Sequence, residues 1–470
     1  HEPGAHNGGT IAFDSNKNLL ISVGDNTPPW QANGYPPLDE KPSRIIYDAQ
    51  RTAANTHDLR GKILRIKPKP DGTYEIPEGN LFSKDGSNGK AEIYAMGCRN
   101  PWRMSIDPKT NYVYWGEVGP DAGRDSTIGP RGYDEINQAK SPGNFGWPYF
   151  IADNKPYKKV DHGTGEVLQT FDITKPIENN SPNNTGAKVL PTPTKAFIYY
   201  PYAESPEFPE VGKGGRTACA GPIYYFKNYK NSKVKFPKYY DGKFFIFEWM
   251  RDWIMSVTVD KDGNFVKMEP ALSHLRFDHP TFMKFGPDGA LYVLEYGFIW
   301  YAQNQNARLS RVVYHEGNRP PVIDVAISDT IGQPPFNVKF DATKTYDPDN
   351  NTVSITWHLG KEIKEGLKAE FTFETPGIYY PVVHAVDAKG ASSEKRIKII
   401  VGNTYPIVNI NFNSLNRTFF WPGSKINYEV KVTDKEDKNI NPSDIRVIYD
   451  YLPEGNDVFP LQTGHGLAPK

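Results

Sequence analysis

A recurring strand-and-turn pattern constrains the fold of the first 316 residues more than any other feature of the sequence. In each copy, an Asp-Gly or Asp-Asn type of turn leads into a short strand of alternating apolar residues that ends at Gly or at an acidic residue. The four copies are DSNKNLLISVGD (14–25), DPKTNYVYWGEVG (107–119), YDGKFFIFEW (240–249) and GPDGALYVLEYG (286–297). Returning strands follow three of them, at 61–68, 253–260 and 307–314. Strand pairs repeated at this spacing are typical of the blades of a β-propeller.

The number of blades is open on this pattern. Four units could form a whole small propeller or the last part of a six-bladed one. The chain starts at His1, without Met and almost inside a motif, which favours the second reading. We therefore expect an all-β fold in which residues 1–316 form a six-bladed β-propeller that lacks N-terminal blades.

Length and composition limit the remaining possibilities. A chain of 470 residues is too long for one ordinary core, so two or more domains are expected. Gly and Pro number 41 each and aromatic residues make up 13%, which favours strands separated by turns. The net charge is zero and there is no long basic stripe, so we expect no nucleic-acid partner. No apolar run reaches the roughly 18 to 20 residues of a membrane span.

The pattern of strands and turns changes near residue 316. EGNRPPVIDV is a Pro-marked linker, and short alternating strands at roughly ten-residue spacing follow it over 320–402. This segment resembles the PKD domain, an Ig-like module, through YDPD (346–349), Trp357, PGIY (376–379) and VD (386–387). A second Ig-like β module, with strands missing, is expected over 404–470.

The acidic turn of the PKD-like module admits two interpretations. Asp347, Asp349 and Asp387 could bind calcium, or they could make turn hydrogen bonds, which is the more ordinary role of Asp in a turn.

The first chemical motif joins His6, in HNGG (6–9), to Asp25, nineteen residues later in VGD (23–25). A strand pair between them could bring both side chains to one end of a blade. A His held by a carboxylate is a general base with a fixed tautomer. An ordinary His near a turn is the simpler interpretation of this motif taken alone.

The second motif is a series of loops. It comprises YAMGCRNP (94–101), GEVGP (116–120), DEIN (134–137) and GNFGWP (143–148). Arg99 in its Gly- and Pro-framed loop can hold an anion or a developing oxyanion. Gly-Pro carbonyls with a nearby carboxylate suit a hard cation such as calcium.

Taken in order over residues 6–148, these motifs resemble the soluble glucose and aldose sugar dehydrogenases that use pyrroloquinoline quinone (PQQ). The resemblance implies a six-bladed propeller that transfers a hydride from C1 of a sugar to PQQ. It implies that His6 takes the proton of the C1 hydroxyl, that Asp25 orients His6, and that Arg99 steadies the reduced quinone oxygen.

The same resemblance implies further ligand-binding residues. Those implied to contact PQQ are Asn100 and Thr217. Those implied to bind calcium are Gly119 and Pro120, through their carbonyls at the cofactor, and Glu135 with the Phe145 backbone at a second, structural site.

Some residues that bind PQQ in the family, here called the cofactor clamp, are different in this sequence. The positions that hold the PQQ carboxylates in the family correspond here to Met250, His279 and Thr281. Arg251 is the nearby basic residue, and we take it as a further cofactor-binding residue. It lies among acids that would repel three carboxylates unless calcium or arginine compensates.

The leading functional hypothesis is an exported, periplasmic or cell-surface, PQQ- and calcium-dependent oxidoreductase. Its substrate would be a small sugar, an oligosaccharide or a sugar-derived alcohol, and a cytochrome could accept the electrons. One alternative is a calcium-dependent lactonase or sugar hydrolase on the same propeller, with the same residues activating water. The other is a non-catalytic carbohydrate-binding protein. Fold resemblance alone does not separate these three.

Three further features have two readings each. Cys98 and Cys219 could form a disulfide, but buried free thiols are the default. The region 150–215 could cover the propeller face or be a plain surface excursion. Five aromatic residues near strand ends could stack on sugar rings or serve as rim packing: Trp249, Trp253, Tyr296, Trp300 and Tyr301.

Overall fold

The computed structural model describes residues 5–29, 34–161, 163–298, 304, 306–412, 428–442, 445–451 and 459–465, with 446–451 and 459–465 described by their backbone alone. The chain divides into two compact units, His1–Tyr314 and His315–Lys470. Within the described residues, helical structure is limited to short 3-10 turns. These are Pro42–Tyr47, Ala49–Arg51, Pro209–Val211, Phe226–Tyr229 and Lys238–Tyr240. None of these helices is long and apolar enough to cross a membrane.

The first unit is built from short strands. In chain order they are β1 (Ile11–Phe13), β2 (Leu19–Val23), β3 (Lys62–Pro68), β4 (Tyr74–Glu75), β5 (Ile93–Met96), β6 (Pro101–Ile106), β7 (Val113–Glu117), β8 (Asp134–Ala139), β9 (Gly143–Asn144), β10 (Phe150–Ile151), β11 (Lys155–Pro156), β12 (Lys158–Val160), β13 (Val167–Thr170), β14 (Ile177–Glu178), β15 (Val189–Leu190), β16 (Ile198–Tyr200), β17 (Ala218–Ile223), β18 (Phe244–Glu248), β19 (Ile254–Val259), β20 (Phe265–Ala271), β21 (Pro280–Phe285), β22 (Leu291–Glu295) and β23 (Arg308–Val312).

Each of the four sequence repeats forms the second strand of its own sheet. Sheet 1 has the order β1-β2-β3-β5-β9 with β4 beside β3, sheet 2 is β6-β7-β8-β16, sheet 3 is β17-β18-β19-β20, and sheet 4 is β21-β22-β23. Within each sheet, the repeat strand pairs antiparallel with the strand before it and the strand after it. This up-and-down order is that of a propeller blade.

The sheets pack side by side through their first strands. β1 and β2 contact β6, β17 contacts β6 and β7, and β21 contacts β17. Period-2 alternation supplies the apolar faces between sheets: Leu20 and Trp115 share one core, and Phe245 and Val293 another. The all-β, propeller-type fold predicted from the sequence is confirmed, and a total of six blades stays a prediction.

The sheets at the two ends of this array expose apolar side chains. Phe282, Leu294 and Leu309 are paired across the three strands of sheet 4, and all three are exposed. Ile11 and Phe13 are exposed on β1. Solvent therefore reaches apolar side chains on both outermost sheets.

The region 150–215 is folded rather than irregular. It forms three two-stranded ribbons, β10-β11, β12-β13 and β14-β15, followed by β16, which joins sheet 2, and by the turn Pro209–Val211. Asn179 donates to the backbone carbonyls of Gln50 and Ala54, and Ser181 donates to Asp48. These hydrogen bonds fasten the excursion to the segment that links β2 to β3.

The second unit begins with a sandwich. Its strands are β24 (Ala326–Ile327), β25 (Ile331–Gly332), β26 (Phe336–Asp341), β27 (Val353–Leu359), β28 (Glu362–Glu365), β29 (Lys368–Phe373), β30 (Gly377–Tyr379), β31 (Val382–Asp387), β32 (Ser392–Arg396) and β33 (Ile399–Val401). The sheets are β24-β26-β29, β25-β33-β30 and β28-β27-β31-β32. Trp357 is fully buried between them with Phe340 and Val383, as expected of an Ig-like core.

The acidic residues of this sandwich make turn hydrogen bonds. Asp347 accepts from the backbone N–H groups of Asp349 and Asn351, and Asp387 accepts from those of Lys389 and Ala391. Beyond the sandwich lie two hairpins, β34 (Ile407–Phe412) with β35 (Tyr428–Thr433), and β36 (Arg446–Tyr451) with β37 (Phe459–His465).

Candidate functional site

An acidic residue ends the repeat strand of every sheet or lies two residues after it. These residues are Asp25, Glu117, Glu248 and Glu295, and all four are buried. In sheets 2 to 4 the carboxylate accepts a backbone N–H from the loop that enters the first strand: Arg99 and Asn100 donate to Glu117, Thr217 to Glu248, and Asp278 to Glu295. The three glutamates thus bind three entry loops at one end of their sheets.

Glu248 gives this arrangement a measurable pH dependence. Burial raises its pKa to about 8, although backbone N–H groups, Thr217 first among them, act in the opposite direction. The folded chain therefore holds this proton more tightly than the unfolded chain does, and the stability it contributes is lost as the pH rises from about 4.5 to 8.

We expect the free energy of unfolding of the native chain to fall between pH 5 and pH 8, with a contribution from Glu248 of up to about 1.4 kcal/mol per pH unit. Glu248→Gln should remove that contribution, while being less stable at low pH because its amide NH2 faces backbone N–H groups. Urea unfolding across this range measures both slopes, with the exposed Glu204→Gln as a control. Parallel curves for Glu248→Gln and the native chain would contradict the assignment.

In sheet 1 the acid is one methylene shorter and holds a side chain instead. Asp25 Oδ1 lies 2.7 Å from His6 Nδ1, and Oδ2 accepts from the indole N–H of Trp147 at 2.7 Å. Thr27 donates to the same carboxylate through its backbone N–H and its hydroxyl. A Cβ at Gly24 would lie 1.7 Å from the His6 carbonyl oxygen, so this close approach requires glycine.

The electrostatics of this pair leave His6 neutral and Asp25 ionised. Burial, followed by the positive charge of Arg99, lowers the pKa of His6 below its ordinary value, while Asp25 acts against both. Burial alone would raise the pKa of Asp25, but His6, Arg99 and the hydrogen bond from Thr27 outweigh it and hold that pKa low. Because Nδ1 faces the carboxylate, it carries the proton, and Nε2 is the basic nitrogen.

His6 Nε2 is buried and has no hydrogen-bond partner within the described structure. The side-chain oxygen of Asn100 is likewise buried without a partner, and it lies near Gly8 and Gly24. Arg99 donates to the Val118 carbonyl at 2.7 Å, and its carbonyl accepts from the Asp25 N–H at 2.8 Å. The structure thus brings together His6, Asp25, Arg99 and Asn100, and leaves two polar atoms among them for a ligand.

The predicted calcium ligands at the cofactor do not fit a cation. The carbonyl oxygen of Pro120 accepts from Nη2 of Arg216 at 2.8 Å, and the Gly119 N–H donates to Asp134. A guanidinium already occupies the position beside the carbonyl that calcium would need. Gly119 and Pro120 as calcium ligands stay a prediction, which the position of the Arg216 guanidinium does not favour.

At the predicted second calcium site Glu135 makes hydrogen bonds within the protein, and its role as a calcium ligand with the Phe145 backbone stays a prediction. Glu135 accepts from the Ala152 N–H at 2.6 Å and from the Asn137 side chain at 3.0 Å, and burial raises its pKa to about 7. The Phe145 ring packs against Trp115 with centroids 4.5 Å apart, and its N–H donates to Met96. Over the described residues, no group of three or more His, Cys, Asp or Glu side chains could hold a metal ion.

Arg251 is also placed differently from the prediction. Its guanidinium donates to five backbone carbonyls, those of Pro201, Val211, Gly212, Gly214 and Gly215. Arginine has five N–H donors, so none is left for a cofactor carboxylate. Arg251 fastens the 201–215 loop, and the Thr217 hydroxyl donates to the Arg216 carbonyl at 2.6 Å.

Among the remaining positions that hold the PQQ carboxylates in the family, His279 forms a second histidine–aspartate pair with Asp252. His279 Nδ1 lies 2.8 Å from Asp252 Oδ1, and its ring lies against that of Trp249 with centroids 5.0 Å apart. The Thr281 hydroxyl donates to the Leu294 carbonyl, and Met250 packs against Gly215.

The remaining aromatic residues and the two cysteines named in the sequence analysis either pack within the first unit or lie outside the described residues. The Trp249 ring also meets Tyr296, while the Trp253 indole N–H donates to the Val211 carbonyl. Trp300 and Tyr301 lie outside the described residues. Cys98 and Cys219 are free and buried, and burial raises the pKa of both thiols.

Sequence comparison supports the predicted resemblance. Residues 1–183 match the family model of glucose/sorbosone dehydrogenases. The first unit resembles these sugar dehydrogenases. Residues 318–401 match the PKD domain model. Both resemblances predicted from the sequence are thus confirmed.

Individual relatives are matched over part of their length. The aldose sugar dehydrogenase YliI of Escherichia coli (strain K12) is 32% identical over 166 residues, 35% of each chain. Quinoprotein glucose dehydrogenase B of Acinetobacter calcoaceticus is 25% identical over 245 residues, 46% of this chain and 47% of its own. The chain therefore spans between a third and a half of these relatives. The apo-form structure of the soluble E. coli aldose sugar dehydrogenase has a TM-score of 0.36 at 23% identity, over 62% of this chain and 61% of that one.

Proposed function

We propose that the first unit is an oxidoreductase that removes a hydride from C1 of a sugar or sugar-derived alcohol. The observation that carries the proposal is the His6–Asp25 pair, whose basic Nε2 is buried, unpartnered and electrostatically coupled to Arg99. A base, an orienting carboxylate and a fixed cation are what oxidation of a hydroxyl needs, because a proton must leave the oxygen as the hydride leaves the carbon.

His6 would accept the hydroxyl proton at Nε2, and Asp25 would hold the ring and stabilise the imidazolium that forms. Arg99 would face negative charge that develops on the electron acceptor. The dry surroundings of His6 strengthen these interactions. Substrate orientation would fall to groups lining the same loops, with Asn100 Oδ1 free to accept a hydrogen bond.

PQQ is the cofactor we propose, and when bound it would supply the two-electron acceptor for the hydride. The positive charge of Arg99 suits an anionic ligand at this position, while His6 Nε2 and Asn100 Oδ1 can accept hydrogen bonds from hydroxyl groups. Arg99 and Asn100 would hold it, with the His279–Asp252 pair as a further candidate contact. Calorimetric titration of the full chain with PQQ tests this, followed by dye-linked oxidation of aldoses. Absence of PQQ binding, or turnover of lactones or glycosides with no quinone, would overturn the proposal.

Arg99 should set the acid limb of the activity profile. Burial and then Arg99 lower the pKa of His6, so the loss of that positive charge should raise it. We expect Arg99→Leu to move the acid limb of the kcat/KM–pH profile to higher pH, in addition to lowering the rate. Arg60→Leu, whose arginine pairs with Asp58, is the matched control. An acid limb that stays in place would contradict the assignment of His6 as the base.

Export to the periplasm or cell surface, a small sugar or oligosaccharide substrate and a cytochrome electron acceptor complete the proposal. They rest on the resemblance to sugar dehydrogenases. Fractionation of the natural host and reduction of its cytochromes by the sugar-loaded enzyme would test them.

A further inference from the structure

Arg216 is a buried arginine that the proposed reaction does not use. Its side chain is 1% exposed and lies just before β17. Nη1 donates to Asp134 at 2.6 Å, Nη2 donates to the Pro120 carbonyl at 2.8 Å, and the guanidinium carbon lies 3.9 Å from the Tyr202 ring centre. One cation therefore joins three sequence-distant segments at the end of sheets 2 and 3.

These partners are the kinds of ligand that a hard cation takes. A backbone carbonyl and a carboxylate, both removed from water, are typical oxygen donors to calcium. A Cβ at Gly132 would lie 1.6 Å from the Pro120 carbonyl oxygen and 3.1 Å from Arg216 Nη2, so the carbonyl and guanidinium fill this space. Calcium at its usual distance from the Pro120 oxygen would stand within a few ångströms of Nη2, and two like charges that close repel strongly.

We infer that Arg216 supplies, as a fixed side chain, the positive charge for which the resemblance to sugar dehydrogenases implies a calcium ion. Arg216 is a positioning residue: it holds the Gly119–Pro120 loop and neutralises Asp134 without touching the reacting atoms. The inference rests on the proposed function only for the role of this site near the cofactor. Whether the site binds calcium can be measured without substrate. A consequence is that the chain folds and binds its ligands without a divalent cation.

The test compares the full chain and four variants by calorimetry with calcium chloride alone and by thermal unfolding in calcium or EDTA. The native chain should show no calcium binding at this site, and EDTA should leave its Tm unchanged. Arg216→Ala leaves Asp134 buried and unpaired beside the Pro120 carbonyl, so calcium should bind at least tenfold more tightly than to the native chain and raise the Tm. Arg216→Lys keeps the charge and should remain insensitive to calcium.

Arg251→Ala is the matched control, because Arg251 also binds loop carbonyls but does not contact Pro120. It should gain no calcium binding. Calcium binding by the native chain that Asp134→Asn abolishes would overturn the inference, as would an Arg216→Ala chain that folds but gains none. If Arg216→Ala does not fold, EDTA insensitivity of the native chain and of Arg216→Lys decides. Failure of the proposed function is a separate result: no sugar oxidation with PQQ, with or without calcium.

Discussion

Substituting His6 by asparagine is expected to lower kcat for sugar oxidation by about 10²- to 10⁴-fold, the usual contribution of a general base. Asparagine is the appropriate substitution because His6 has φ of 59°, a left-handed conformation that asparagine tolerates better than alanine. Its side chain can still donate to Asp25, but it has no basic nitrogen in the position of Nε2. Steady-state kinetics with saturating PQQ and an artificial electron acceptor would measure the loss.

Two further variants make this result specific. Asp25→Asn should lower kcat in a similar range, because an amide neither fixes the His6 tautomer nor stabilises an imidazolium. His57→Asn should leave kcat unchanged, since His57 lies in a different segment and its Nδ1 meets the Thr185 carbonyl. Full activity in a folded His6→Asn chain would show that the base lies elsewhere.

The largest expected effect on stability comes from Lys62, the first residue of β3. Its ammonium group is fully buried and donates to three backbone carbonyls, those of Thr52, Ala53 and Arg60, at 2.7 to 3.0 Å. We expect Lys62→Met to lower the free energy of unfolding by about 3 kcal/mol, because it removes three hydrogen bonds of a buried ammonium group, although the Asn55 and Gly97 N–H groups still donate to the Thr52 and Ala53 carbonyls.

Lys67→Met, in the same strand, is the matched control. Lys67 is half exposed and pairs with Glu75 at 3.6 Å on the surface, where an ion pair contributes less than about 1 kcal/mol. Urea unfolding followed by tryptophan fluorescence would compare the two. Equal stability of the two variants would contradict the view that Lys62 holds the segment between β2 and β3.

Features that depend on local sequence were predictable. The alternation in LLISV and its three counterparts indicated the repeat strands. The nineteen-residue spacing of His6 and Asp25 matched two strands and a turn, so their contact followed from the blade geometry.

Features that depend on the direction of a distant side chain were not predictable. Trp147 reaches Asp25 across 122 positions, and Arg216 reaches Pro120 across 96. The sequence showed that Arg251 carries a positive charge. It did not show that all the N–H groups of its guanidinium donate to backbone carbonyls. The buried glutamates could have been found from the sequence. When the four repeats are aligned, Glu117, Glu248 and Glu295 occupy the position equivalent to Asp25.

The central claim is that the His6 site accepts a proton as a hydride leaves C1 of the sugar. Its most direct test is single-turnover reduction of the PQQ-loaded full chain, followed by absorbance, with an aldose carrying hydrogen or deuterium at C1. The account predicts that the sugar reduces the cofactor, that deuterium slows the step, and that His6→Asn slows it further while PQQ still binds. A PQQ-loaded chain whose spectrum no aldose changes would contradict it.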